Sequence, residues 1–146
     1  MRFSTKIRYG IRAMLEIALN DVDSGIYQKE IAENQSISYK YLDQIIGALR
    51  VAGLITKAGG QRSGYILTRK PSEITMLEIH SAFEPGICVI NCLSSNVHCK
   101  RESYCAMRKF WGNLNSLIIN YFKSTTLQDL MDNQLILNEQ ELAANG

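Results

Sequence analysis

The spacing of apolar residues changes at Gly53, and that change restricts the fold more than any other feature of the chain. Before it, apolar side chains recur with the 3.6-residue period of helices that face a core on one side. Ile7, Ile11, Met14, Leu15, Ala18 and Leu19 form one such stripe and predict a helix from about Thr5 to Leu19, stopped by the turn-forming NDVDSG. A short helix is expected near residues 28–33, with Ile31 and Ala32 inward, followed by the polar turn NQSIS. Ser38 is a good N-cap and opens a third helix, which carries Leu42, Ile45, Ile46 and Leu49 at core spacing to about Ala52. Gly53 ends it, as a residue past a helix C-terminus often does. Beyond that point LITKAGGQRSGYIL reads as two short strands, 54–57 and 65–67, around a glycine-rich loop. Three helices and then a hairpin is the order of a winged helix-turn-helix.

Pro71 breaks the chain, and TMLEIHSAF then opens with a capping box, Thr75 with Glu78 three residues on, and predicts a helix to about Phe83. A long helix is expected over 103–122, with Met107, Phe110, Trp111, Leu114, Leu117, Ile118 and Tyr121 apolar. TTLQDLMDN reads as a last short helix, and the tail from Leu137 as loose. The expected fold is mostly α with a small β-hairpin, in one compact protein of 146 residues. It comprises a winged helix-turn-helix region (1–83), a cysteine-rich loop (84–105), and a dimerisation helix with a short terminal helix (103–135). The long helix has more apolar surface than one small neighbour covers. Pairing with the same helix of a second chain is favoured over packing back on its own winged region. A homodimer also suits a helix-turn-helix, which reads two half-sites.

Charge is unevenly spread. Residues 1–70 hold eleven Lys/Arg against six Asp/Glu, a net +5, while residues 71–146 hold five against eight, a net −3. A basic first half suits an anionic partner such as double-stranded DNA. In a helix-turn-helix the second helix of the motif enters the major groove, with its N-terminal residues at the base edges. Here those are Ser38, Tyr39, Lys40, Asp43 and Gln44. Gln suits adenine, and a carboxylate can accept from cytosine N4. Near phosphates, though, Asp43 needs a donor of its own. Arg2, Lys6, Arg8 and Arg12 give the first helix a basic pattern suited to phosphates. Lys57 and the wing residue Arg62 extend it. The competing reading of all these residues is the solvated face of amphipathic helices.

Every cysteine lies within CVINCLSSNVHCKRESYC, at Cys88, Cys92, Cys99 and Cys105. Thiolates are soft ligands that select zinc, Cu(I) or iron–sulfur clusters. Structural zinc sites bring ligands in C-x2–4-C pairs, which only Cys88 and Cys92 approach. A cluster core is wider than one zinc ion and tolerates longer intervals. Cluster binding is therefore read first, zinc second and disulfide switching third; four unrelated buried thiols is the remaining alternative.

Composition narrows the class further. The chain is 46% apolar and 21% charged, as soluble globular proteins are, and no apolar run approaches the ~20 residues of a membrane span. The N-terminus is interrupted by Lys and Arg too often for a secretory signal. A cytoplasmic protein with reduced thiols is expected. There is no C-x-x-C, no Gly-rich phosphate loop and no nucleophile–base pair, so neither an enzyme nor a small-molecule substrate is expected. His80 reads as structural.

MRFSTKIRYGIRAMLEIALN, the helix at SYKYLDQIIGALRVAGLI, the GGQRSGY wing and the cysteine loop together resemble the IscR/NsrR regulators, the Rrf-two family. The resemblance runs to about residue 137. It implies a homodimeric winged-helix transcription factor whose loop binds an iron–sulfur cluster, [2Fe–2S] ahead of [4Fe–4S], through three cysteines. By position these are Cys92, Cys99 and Cys105. The family's recognition-helix acidic residue matches Asp43, followed by Gln44 as in the IscR branch. Where that branch has a histidine ligand three residues after the last cysteine, this chain has Arg108, which cannot ligate. Where the NsrR branch has an acidic ligand in the first helix of the partner, this chain has Arg8. The first interval of the loop is x6 rather than x5, and the wing lacks the Arg before its glycines. The fourth ligand is open among Cys88, His98 and Glu102, with Cys88 chemically the simplest. The alternative is a cluster-free regulator of the same fold that senses thiol oxidation or a partner protein.

Overall fold

The computed structural model describes residues 1–20, 22–61 and 63–146. Among them the chain forms six α-helices and one antiparallel hairpin. In order these are α1 Thr5–Leu19, α2 Gln28–Gln35, α3 Tyr39–Val51, β1 Ile55–Lys57, β2 Tyr65–Leu67, α4 Met76–Ser81, α5 Ala106–Ser124 and α6 Leu127–Asn145. The winged helix-turn-helix order expected from the change of period is present. α1 packs against α2, α3, α4, α6 and β2, so its Ile7, Ala13, Met14 and Ile17 stripe lies at the centre of the molecule. Leu42, Ile45, Ile46 and Leu49 of α3 close the core from one side, and Ile74, Ile79 and Leu127 from the other.

Side-chain caps set the helix starts. Ser4 Oγ accepts from the Ile7 amide and Ser38 Oγ from the Tyr41 amide, each satisfying a donor that the first helical turn leaves open. α2 runs two residues past its expected end because α1 holds its last turn. Glu16 accepts from Asn34 and Gln35 at 2.7 and 2.6 Å, and the Arg12 guanidinium donates to the Gln35 carbonyl. Ser36, in the left-handed region at φ 52°, then ends the helix. Arg12 also stacks 4.9 Å from the Tyr9 ring centroid. It therefore serves as a tether between α1 and α2, which the basic pattern of the sequence did not indicate.

The hairpin pairs Ile55 with Leu67, Thr56 with Ile66 and Lys57 with Tyr65. Ile26 adds an antiparallel bridge on the other edge of β2, exchanging both backbone hydrogen bonds with Tyr65 at 3.1 and 2.8 Å. The two backbones approach so closely that a Cβ on Gly64 would lie 2.4 Å from the Ile26 carbonyl carbon. The wing is thus anchored to the segment just before α2, and its position relative to α3 is built into the backbone.

α4 and α6 begin side by side. Thr75 and Thr126 are their N-caps and also partners in an antiparallel bridge, with Met76 N to Thr125 O at 2.9 Å and Leu127 N to Ile74 O at 2.8 Å. Each helix opens with a capping box, Thr75–Glu78 and Thr126–Asp129. α5 starts at Ala106, three residues later than expected, because a 3-10 turn at Glu102–Tyr104 precedes it.

The tail expected to be loose from Leu137 is helical through Asn145. It contains no Gly or Pro before Gly146 and is rich in strong helix formers. Gln128–Asp132 and Gln134–Asn138 hydrogen bonds at i, i+4, both 2.9 Å, support it. Among the described residues of α5 none is buried. Met107, Phe110, Leu117 and Tyr121 stand more than half exposed along it.

Candidate nucleic-acid interface and cysteine loop

The outer face of α3 carries Tyr39, Lys40, Asp43 and Gln44, all exposed, while the opposite stripe is in the core. The Ser38 hydroxyl sits at the start of this face and is engaged as the cap. Asp43 has the donor it needs: Gln28, the first residue of α2, gives its Nε2 proton to Asp43 Oδ1 at 3.3 Å. Gln28 is only 8% exposed, and sequence reasoning missed it. A glutamine opening a short helix reads as solvated, and only the fold of α2 across α3 buries it.

Tyr39, Asp43, Gln28 and Lys57 line a cleft of about 350 Å³ between α3 and the wing, with Gly64 and Tyr65 on its wing side. Lys57 Nζ lies 5.5 Å from the Tyr65 ring centroid. Arg2, Lys6 and Arg8 are exposed at the N-terminus and on α1, with Arg8 donating to Thr5 Oγ1 at 3.2 Å. Among the described residues, Lys6, Lys40 and Lys57 have no carboxylate within ion-pair distance. Their charge is available to an anionic partner. Arg62 lies outside the described residues.

The cysteine loop lies along one face of α5, held at both ends. Asn115 accepts from the Val89 amide at 2.9 Å and donates to the Ile87 carbonyl at 3.1 Å. Two turns earlier, the Arg108 guanidinium donates to the Cys92 carbonyl and pairs with the Glu102 carboxylate at 2.8 Å. Between them Gly112 leaves room for Leu93, whose Cδ2 would be 3.9 Å from a Cβ there. Positions 108, 112 and 115 share a helix face, so one stripe of α5 grips both the start and the end of the loop. Arg108, at the position of the histidine ligand in the IscR branch, has no ligating role. It staples the loop instead.

All four cysteines are free thiols, Cys88 and Cys99 exposed, Cys92 and Cys105 half-buried. Cys105 is the N-cap of α5 and lines a hollow of about 530 Å³ with Leu93, Glu102 and Arg108. Cys88 lines a different one, of about 260 Å³, with Arg2, His80 and Glu84. Among the described residues no three His, Cys, Asp or Glu side chains converge on a metal-sized point. In their chemistry Cys92, Cys99 and Cys105 fit a cluster: they are soft donors on one solvent-reached loop, pinned near its start by Asn115 and Arg108 and near its end by the Glu102–Arg108 pair. Of the candidates for a fourth ligand, Glu102 is taken up by Arg108, His98 is exposed, and Cys88 lines two hollows, one with His80 and one with Leu93 and Ser94 of the loop.

His80 is 1% exposed, set edge-on to Phe3 and Phe122 with centroids 6.0 and 5.8 Å away. Burial holds its imidazole below the usual range, against a smaller opposing pull from Glu84. The folded-state value lies below the unfolded one, so this contribution to stability is complete above about pH 6.5 and is lost as the pH falls through the folded value. The urea midpoint is expected to drop between about pH 7.5 and about pH 5, and to drop less in His80→Leu. Equal drops in the two proteins would assign the loss elsewhere. Glu78 behaves similarly but in a lower window. Burial raises its carboxyl, the Thr75 amide and Arg69 outweigh that, and the net value lies below 4.5.

A family described as Rrf2, iron-dependent transcriptional regulator, matches residues 3–133. The HTH-type transcriptional regulator IscR of Photorhabdus laumondii is 31% identical, over 100% of this chain and 93% of that protein. Among solved structures, CymR, the global cysteine regulator of B. subtilis, superposes with a TM-score of 0.77 at 32% identity, covering 91% of this chain and 98% of that one. IscR of T. potens gives 0.74 at 30% identity, over 92% and 88%. No helix among the described residues is long and apolar enough to cross a membrane. With its outward-facing α3, anchored wing and long exposed α5, the chain belongs to the Rrf2 family: it is a DNA-binding transcriptional regulator of winged-helix type, not an enzyme.

Proposed function

We propose that the chain is a cytoplasmic homodimeric regulator whose hold on operator DNA is set by the state of its cysteine loop. α3 reads base edges through Tyr39, Lys40, Asp43 and Gln44. Ser38 fixes where that helix begins, and Arg2, Lys6, Arg8, Lys57 and Arg62 meet phosphates. Cys92, Cys99 and Cys105 would hold an iron–sulfur cluster, [2Fe–2S] ahead of [4Fe–4S], which when bound supplies a centre sensitive to redox state and to iron–sulfur supply. The observation that carries this reading is the double grip of Arg108 and Asn115 on the loop. Through it a change in how the thiols are disposed reaches α5 directly.

The seam residues Met107, Phe110, Leu114, Leu117 and Tyr121 follow a 3-4 spacing, roughly 150° around the helix from the loop-gripping stripe. A tilt of α5 would therefore be delivered to the partner chain and change the distance between the two copies of α3. Such a coupling acts only through differential affinity of the two states for DNA.

Protein prepared without oxygen should contain iron and acid-labile sulfide and lose both in a Cys92→Ser/Cys99→Ser/Cys105→Ser variant. Loaded and stripped protein should differ in operator affinity by about 5–150-fold. Equal affinities would rule out the coupling. The likeness to CymR and the separation of the thiols favour a second reading, a cluster-free regulator that responds to thiol oxidation. It is the one to adopt if the anaerobic protein is colourless and free of sulfide yet changes its DNA affinity with oxidant.

A further inference from the structure

We propose that Gln28 is a specificity-determining residue: it holds the Asp43 carboxylate so that the second oxygen accepts from an exocyclic amine in the major groove, that of cytosine. This rests on the reading of α3 as the groove helix. An aspartate on an exposed helix face normally samples several rotamers, and Lys40, three residues earlier on the same helix, and Lys57 across the cleft are alternative partners that other rotamers would approach. The Gln28 amide settles the choice among them. It is buried, its Nε2 reaches Asp43 Oδ1 at 3.3 Å, and a buried amide that lost its acceptor would be left unpaired. Its backbone is fixed as well, because α2 opens with the Tyr27 amide donating to Glu30 Oε2 at 2.9 Å, and the bridge to the wing at Ile26 lies one residue further back.

With Oδ1 occupied, Oδ2 is left as an acceptor on an exposed residue that lines the cleft. In the major groove guanine offers two acceptors and thymine one, and both repel it. Adenine places an acceptor beside its amine, whereas cytosine presents the amine alone. The orientation set from α2 thus converts an otherwise unfavourable negative charge near DNA into a preference for one base. Gln28 lies on α2, outside both α3 and the wing. It acts through Asp43 and touches no base itself.

The test selects a pool of randomised duplexes with wild type, Gln28→Met, Asp43→Ala and Gln44→Ala, then measures affinity for the selected duplex and its single-base variants at fixed salt. Wild type should prefer cytosine at one position by about tenfold, as should Gln44→Ala at that position. Asp43→Ala and Gln28→Met should both lose that preference, while keeping the preferences at other positions and the salt slope of wild type. If Asp43→Ala loses it and Gln28→Met keeps it, the role of Gln28 is overturned and the groove assignment of α3 survives. If neither Asp43→Ala nor Gln44→Ala alters any base preference, the groove assignment falls and the inference with it. Should Gln28→Met lack a cooperative unfolding transition, Gln28→Asn, still polar but one methylene short of Asp43, takes its place with the same two outcomes.

Discussion

Replacing Leu127 with Ala is expected to cost about 3 kcal/mol of stability and to lower the melting temperature by about 10 °C. Leu127 is fully buried, although it is the first residue of a helix whose remaining length is largely exposed. It enters the core from the paired caps of α4 and α6, where its amide bonds to Ile74 and the Met76 amide bonds to Thr125. The side chain thus closes the joint through which α5 and α6 attach to the winged region. Truncation removes the buried side chain's transfer energy and leaves a cavity between bridged backbones, which places the cost within the range for buried leucines. Leu142, three-quarters exposed near the end of the same helix, is the control, and its replacement by Ala should fall within about 0.5 kcal/mol of wild type. A Leu127→Ala protein that melts within about 2 °C of wild type would show that the joint bears little of the fold's stability.

What could be read in advance depended on whether local chemistry or distant contact decided each feature. Ser38 and Thr75 are caps that act within three residues, so the starts of α3 and α4 were readable, as was the hairpin, whose glycine-flanked strands are adjacent in sequence. The end of α2 was not, because Glu16 and Arg12 hold it from 18 to 23 residues away. The far half of α6 was missed for the opposite reason. It has no apolar stripe, and its helicity comes from propensity and its cap, signals weaker than burial. The cysteines were conspicuous, but their support was hidden. Arg108 stands where a relative has a ligand, and neither it nor Asn115 forms any motif with the loop residues whose backbone it holds, 16 and 26–28 positions away. Gln28 and Asp43 meet for a similar reason, across 15 residues.

Leu117→Asp is expected to yield a monomer that binds the full operator at least about 100-fold more weakly than wild type, while single half-site binding is unchanged. Leu117 is 67% exposed at the middle of α5, with Phe110 a heptad earlier and Tyr121 four residues on. A large apolar row of this kind, left open in one chain, has the spacing of a seam between paired helices. A carboxylate at its centre would have to be desolvated without a partner on pairing, and two copies would face each other across the two-fold axis. The winged region is untouched, since the core of α1, α3 and α4 makes no use of Leu117. The affinity loss comes from geometry: in a dimer the second α3 meets its half-site at the high effective concentration set by the first, and a monomer loses that advantage without losing any contact to DNA. Sedimentation measures the first consequence, and titration against one-site and two-site duplexes the second. A Leu117→Asp protein of dimer mass and undiminished operator affinity would move the interface away from α5. The loop's grip on that helix would then have no route to the groove.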